Sequence, residues 1–353
     1  MVKEVQIKRK YRFRRIKNKN EAAYRVPEFF QRASGVCSMT ESGIWYGKEA
    51  TKVYPFIKSR ERLGHLVQTL DSIQADFAFL THPVSGDAYM VVYCPADGLD
   101  AAIEWFQALE EKLSLPGLTS EQRLDVYVRF CSQLANIKKE TAAGSYLLEA
   151  AAWKEAAAFP DFRWQNGCFG KQDAFIKIAA VRKIESGMEH PGLWQNIMGE
   201  NPYIKASVAG IKWLAGEEVL HRLQDRYVGL ESVMPALKHS NPALYGLLQK
   251  EDGAECHHFC LMSTYVLLGA AEQGQLETAA KEFMLRAREQ GVYVEEMPLQ
   301  YTVGKKEMAD TLSMFAGGGS RQLRYQNLLS VEELGNFLAD RQEHCADSGS
   351  QLR

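Results

Sequence analysis

The densest group of chemically able side chains is Cys256-His257-His258-Phe259-Cys260. Thiolate and imidazole are the usual zinc ligands, and a structural site needs four of them closing a tetrahedron. In a strand, Cys256, His258 and Cys260 share a face but are spread along it, and no second Cys/His pair stands at zinc-ribbon spacing. His221, His239 and His344 are isolated. A Cys–His dyad fails on the same geometry: neighbouring strand residues point to opposite faces, so His257 cannot serve as base for Cys256. The expectation is a strand start with buried cysteine, no metal site and no catalytic residue.

Two glycine-bearing stretches invite a phosphate-loop reading. Ala316-Gly317-Gly318-Gly319-Ser320-Arg321 lacks the Lys-Ser/Thr pair of such a loop, and Val303-Gly304-Lys305-Lys306 fails as well. The first reads as a helix stop and turn after a helical 308–315, so no cofactor is expected. The tryptophans (Trp45, Trp105, Trp153, Trp164, Trp194 and Trp213) are scattered, which favours packing over a stacking platform for bases. No paired-carboxylate or Ser-His-Asp arrangement stands out.

The N-terminus carries the one strong charge cluster. Lys8, Arg9, Lys10, Arg12, Arg14 and Arg15 stand in a basic run over residues 3–19 with Glu4 as its only acid. Such a run is either a solvated chain end or a contact for an anionic surface, lipid or nucleic-acid phosphate. Alternating Val5, Ile7, Tyr11 and Phe13 also allow a short edge strand.

These residues sit on a chain of 353 residues that is 46% hydrophobic with net charge −2. That is enough for one large or two ordinary domains. The charge excludes a generally basic nucleic-acid binder and a strongly acidic disordered chain. The seven cysteines are odd in number and irregular in spacing, which fits a reducing, cytosolic setting. No signal peptide is read, and apolar runs such as 259–271 are too short to span a bilayer. Any membrane association is expected to be peripheral or through a partner.

The period of apolar residues gives the elements. Residues 1–34 form the basic arm, and the first folded segment is expected from Gly35. Residues 35–114 read as an extended stretch over 44–57, a helix after Ser59, strands 75–82 and 88–94, and a helix over 99–113 capped by Asp97. Leu115-Pro116-Gly117 opens a helical connector over 115–160. Residues 161–320 repeat the logic: a strand over 174–184, a short helix ending at Gly199, a strand over 203–213, a helical insertion, then a strand, helix and strand across 254–302. Within that last tract His258, Cys260, Met262, Thr264 and Val266 share one strand face, and Phe259, Leu261, Tyr265 and Leu267 the other. Residues 321–353 form a C-terminal helix and polar tail. The fold class is α+β: ferredoxin-like split β-α-β layers, mostly antiparallel, helices on one face, and a helical connector between two similar halves.

Taken in order, these pieces resemble the N-terminal region of the large ATPase of type IV secretion and conjugation systems (the TraC/TrsE type). The resemblance runs over about residues 40–320. It is carried by 43–57 with its following helix, Ser145-Tyr146, Trp153-Lys154, Phe159-Pro160, the strand 175–184, Gly192-Leu193-Trp194 before 203–211, and the strand–helix–strand at 256–302. Gln300, 308–315 and Gly317–Gly319 follow in the family's order. In that family the nucleotide-binding motifs lie in a C-terminal domain that these residues do not include. The resemblance therefore implies a non-catalytic module, not an enzyme, that docks such an ATPase to other secretion or conjugation proteins at the cytoplasmic face of the inner membrane. A homo-oligomer and an anionic membrane surface are further partners it allows. Two other classes stay open: an enzyme whose site is dispersed in sequence, and a nucleic-acid binder acting through the arm.

Overall fold

A computed structural model describes residues 36–56, 60–83, 87–135, 163–165, 168–171, 174–185, 192–199, 201–214, 259–297 and 325–338. It also describes 15–16, 23–25, 314–315 and the single positions 235, 238, 239, 245 and 317. Fourteen described strands join in one sheet, and every pairing is antiparallel. The chain is α+β, as the alternation of periods predicts.

The first half comprises β1 (Arg15–Ile16), β2 (Ala23–Arg25), β3 (Ser38–Thr40), β4 (Trp45–Tyr46), β5 (Ala50–Pro55), helix α1 (Arg60–Ser72), β6 (Phe77–His82), β7 (Asp87–Cys94) and α2 (Leu99–Leu113). Connector helix α3 (Ser120–Ala135) follows. The second half comprises β8 (Arg163–Gln165), β9 (Cys168–Lys171), β10 (Ala174–Ile184), α4 (Leu193–Met198), β11 (Ile204–Leu214), β12 (Phe259–Ala270), α5 (Gln273–Glu289) and β13 (Val292–Glu296). β14 (Asn327–Ser330) and α6 (Val331–Leu338) close the described chain. Strands enter before Gly35, where the sequence reading began the folded part: β1 and β2 extend the sheet outward from β3.

The strand order β5-β7-β6 places the third strand of the first unit between its first and second. In the second half β13-β10-β12-β11 does the same and adds a fourth strand at the edge. This is the split β-α-β topology expected from sequence. The likeness extends to register. Lys52 pairs with Val92, and Val92 with Phe77, the first residue of β6. Lys177 pairs with Leu268, and Leu268 with Ile204, the first residue of β11. The Leu118 amide donates to the Val53 carbonyl at 2.8 Å, and the Met297 amide donates to Ile178 at 2.9 Å, one row further along in each half. The hairpins before them match too: Trp45 pairs with Thr51, and Phe169 with Ile176.

The halves do not form separate sheets. β6 and β11 pair directly, joining both units edge to edge. Leu80 lies opposite Val208, with Phe79 opposite Ala209 and Thr81 opposite Ser207. Under the register above Leu80 and Val208 are equivalent residues, so an approximate two-fold axis passes between them.

One face carries Tyr54, Phe77, Phe79, Met90 and Val92 from the first half and Ala179, Ile211, Met262 and Val266 from the second. Helices α1, α2, α4, α5 and α6 cover it. Leu63, Leu66, Val67 and Leu70 form the inward stripe of α1, and Ile103, Phe106 and Leu109 that of α2. The opposite face carries Val53, Leu80, Val91, Ile178, Val208 and Tyr265, and the connector helix α3 packs there through Leu124, Tyr127 and Phe130. Two register shifts move side chains between faces. One separates Ile204 from Ala206, the other Val181 from Lys183. Ile204 and Ile184 therefore join the helix-covered face, although strict alternation from their neighbours would turn them away.

Local chemistry sets the helix ends. Thr119 and Gln122 form a reciprocal capping box at α3, and Ser330 and Glu333 form another at α6. At α2 the cap residue is Gly98 rather than the expected Asp97, with φ of 89° and no side-chain bond. A glycine there lets the chain turn sharply from β7, so the backbone and not a carboxylate starts the helix.

Candidate functional site

The sequence-predicted arm residues Lys8, Arg9, Lys10, Arg12 and Arg14 lie outside the described residues. Arg15 opens β1, opposite Tyr24. Cys256, His257 and His258 also lie outside them. Cys260 is in β12, fully buried, between Trp213 of β11 and Leu329 of β14. Burial pushes its thiol far above the usual range, with Glu333 and Asp71 acting in the same direction. A thiol held protonated this way is a packing group rather than a nucleophile. Among the described residues no group of three His, Cys, Asp or Glu could hold a metal ion. Nor is any described helix long and apolar enough to cross a membrane.

The structure instead assembles a polar cluster under α3. Arg123 is fully buried. Its Nη1 donates to the carbonyls of Thr51 at 2.7 Å and Gly43 at 3.2 Å. Its Nη2 donates to Thr51 Oγ1 at 2.7 Å and to the Gly317 carbonyl at 2.6 Å. The guanidinium lies 4.1 Å from the ring centre of Trp45, a cation–π contact in a dry setting. The Trp45 Nε1–H donates to Ser120 Oγ at 3.2 Å. Burial lowers the basicity of Arg123 to about 9, with the nearby Tyr93 hydroxyl acting against it. The geometry explains two glycines. A Cβ at Gly43 would overlap the Leu118 carbonyl, and Gly317 has φ of 74°.

His82 extends the cluster along β6. Its Nε2–H donates to the Phe315 carbonyl at 2.7 Å, which fixes the tautomer. The ring stacks on Phe130 of α3 at 5.0 Å and 5°. Burial lowers its basicity below the ordinary value, and Arg129 adds to that, while the Phe315 bond and Asp87 oppose it. It is therefore neutral near pH 7. Arg123 and His82 thus bind two carbonyls of one turn, in which the Gly317 amide donates to Met314. Gly317 was expected as a turn residue, and it is one.

Two lysines are buried on the helix-covered face. Lys52 Nζ lies 2.8 Å from Glu110 of α2. Lys177 Nζ lies 2.9 Å from both Glu277 of α5 and Glu296 of β13. Burial alone would lower Lys177, but its bonds to Glu296 and Glu277 outweigh it and hold the ammonium above its usual value. These groups are satisfied within the chain, which suits them to joining elements.

Sequence reasoning passed over Arg123, His82, Lys52 and Lys177. A signal for each existed. Arg123 stands four and seven residues before Tyr127 and Phe130, on the inward stripe of α3. His82 continues the alternation Ala78, Leu80, and Lys52 lies between Ala50 and Tyr54 on one strand face. Neither a protein-family model nor a curated protein matches this sequence.

Proposed function

We propose that this chain is a non-catalytic assembly module that docks a type IV secretion or conjugation ATPase to other proteins of that machinery at the cytoplasmic face of the inner membrane. The resemblance in element order supports this reading, together with one structural observation. The strand–helix–strand tract that carries much of the resemblance is β12–α5–β13, the closing part of the second of two like units fused into one sheet. A long sheet covered on both faces is a rigid spacer that can present helices and loops to partners. The chemistry-bearing groups in its described core, Arg123, His82 and Cys260, are turned to packing and to the chain's own carbonyls.

The test is reconstitution. The chain is mixed with purified proteins encoded beside it, and complexes are sized by light scattering after gel filtration. A complex of fixed stoichiometry is expected, and calorimetry with Mg-ATP should give no binding heat. Tight ATP binding by the chain alone, or no complex with any of those proteins, would overturn the reading.

A further inference from the structure

We propose that the outer edge of β13 is a docking site for an extended, acidic segment of a partner protein, which joins the sheet as a further strand. The inference rests on the docking role proposed above and gives it a place and a chemistry. β13 lies against β10 along one side. The Met297 amide donates to Ile178 and the Glu185 amide donates to Gly291, so Tyr293 and Glu295 between them turn their main-chain groups to β10. Val292, Val294 and Glu296 turn theirs the other way, and among the described residues nothing pairs with that side. Such a row of outward N–H and carbonyl groups is the template that strand addition uses. Tyr293 and Glu296 are exposed there, with Val294 and Glu295 half-buried between them.

The side chains around this edge select the partner. On α5, Glu277, Lys281, Met284 and Arg288 share one flank by helical spacing. Glu277 reaches Lys177 beside Glu296, and Arg288 opposes the upward push of Glu185 on the Tyr293 hydroxyl, which sets this flank next to β13. The other flank is turned to α4, where Arg286 lies against Gly199. The carboxylates near the edge are engaged: Glu277 and Glu296 by Lys177, Glu295 by Arg182, and Glu185 by the Tyr293 hydroxyl at 2.7 Å. Lys281 and Arg288 are exposed, with no carboxylate partner among the described residues. Lys183 is exposed too, its ammonium 5.9 Å from the centre of the Tyr293 ring. The unmatched charge along the edge is therefore positive, so an acidic strand is attracted and a basic one repelled. Half-buried Val294 and Met284 add an apolar contact for alternate residues of the incoming strand.

The test titrates the full chain into a fluorescein-labelled peptide of alternating Glu and Val and follows anisotropy, with a peptide of alternating Lys and Val as control. The Glu/Val peptide should bind and the Lys/Val peptide should not. Val294→Pro removes one outward N–H and spares the ladder to β10, since proline is tolerated on an edge strand where its nitrogen faces solvent. It should weaken binding by roughly three- to tenfold. Arg288→Glu, at an exposed position, should weaken it by roughly two- to fivefold at low salt. No binding of the Glu/Val peptide, equal binding of the Lys/Val peptide, or binding that neither substitution changes would overturn the proposal. If Val294→Pro does not fold, Arg288→Glu and the control peptide decide the matter. The two readings fail separately: a reconstituted complex that Val294→Pro leaves unchanged overturns this edge as the docking site and spares the assembly role.

Discussion

Lys52 and Lys177 occupy equivalent places in two copies of one unit. Each begins a row that crosses the third strand of its unit and ends on the first residue of the second strand. Each is buried on the same face and reaches a carboxylate on the helix that follows the third strand, Glu110 on α2 and Glu277 on α5. Lys177 also binds Glu296. The repeat is therefore one of chemistry as well as of topology.

Removing one of these cations should cost stability. Lys177→Met keeps the stem but leaves Glu277 and Glu296 facing each other. Both carboxylates are over a third exposed, so water screens much of the loss. A destabilisation of about 1–2 kcal/mol is expected in urea unfolding. With the folded-state value raised, the stabilisation is full below the unfolded lysine value and fades as pH rises through the raised one. Wild type and Lys177→Met should then converge in stability at strongly alkaline pH. A constant gap across the alkaline range would contradict this assignment.

His82 sets an acid limit. Its folded-state value is lowered, so the unfolded chain binds a proton that the native chain excludes. Stability should be level above about pH 6.5 and fall as pH drops below it, until the lowered native value is reached. His82→Phe keeps the ring stack on Phe130 and removes the titration. Urea midpoints at pH 8, 6 and 5 should fall for wild type, and fall less for the variant.

Arg123 should tolerate no ordinary replacement. Arg123→Met leaves the carbonyls of Gly43, Thr51 and Gly317 short of donors inside the protein, a loss of about 2–4 kcal/mol. Arg123→Lys should recover little, since an ammonium cannot span acceptors on three segments as the guanidinium fork does. Urea unfolding gives the magnitude, and Trp45 emission reports the site because that ring lies against the guanidinium.

Leu261→Asp should abolish folding of the second half. Leu261 is buried in β12 opposite Lys212 of β11 and Leu328 of β14. A carboxylate at this buried position loses its water, and even with the Lys212 ammonium opposite the desolvation costs several kcal/mol, on the order of the whole stability of a domain. Circular dichroism and gel filtration check it, and a wild-type melt would show the burial to be wrong.

The basic arm separates into two parts. Deleting residues 1–14 removes Lys8, Arg9, Lys10, Arg12 and Arg14 and spares β1. Binding to vesicles with anionic lipid should weaken by on the order of 1 kcal/mol per charge, and salt should mimic the deletion. The melting temperature should hold. Deleting residues 1–25 also removes β1 and β2 from the edge of the sheet and should lower it.

The α+β class, the two like halves and the elements over 75–113, 174–184 and 259–296 were legible in the sequence, because each depends on a local period. Alternation gives a strand its two faces. Helical spacing gives α2 and α5 their inward stripes, and glycines such as Gly291 mark where a period stops. The join of β6 to β11 was not legible. It depends on which strand edges meet, and both edges present the same backbone groups whatever their side chains. The register shifts at Ile204 and Ile184 also needed the partner strands. Arg123 and His82 are the sharpest case. Sequence shows a cation and an imidazole on inward faces, but their acceptors at Gly43, Thr51, Phe315 and Gly317 are carbonyl oxygens, which every residue carries. A bond to a main-chain oxygen leaves no mark on residue type, so only the tertiary structure decides where it forms.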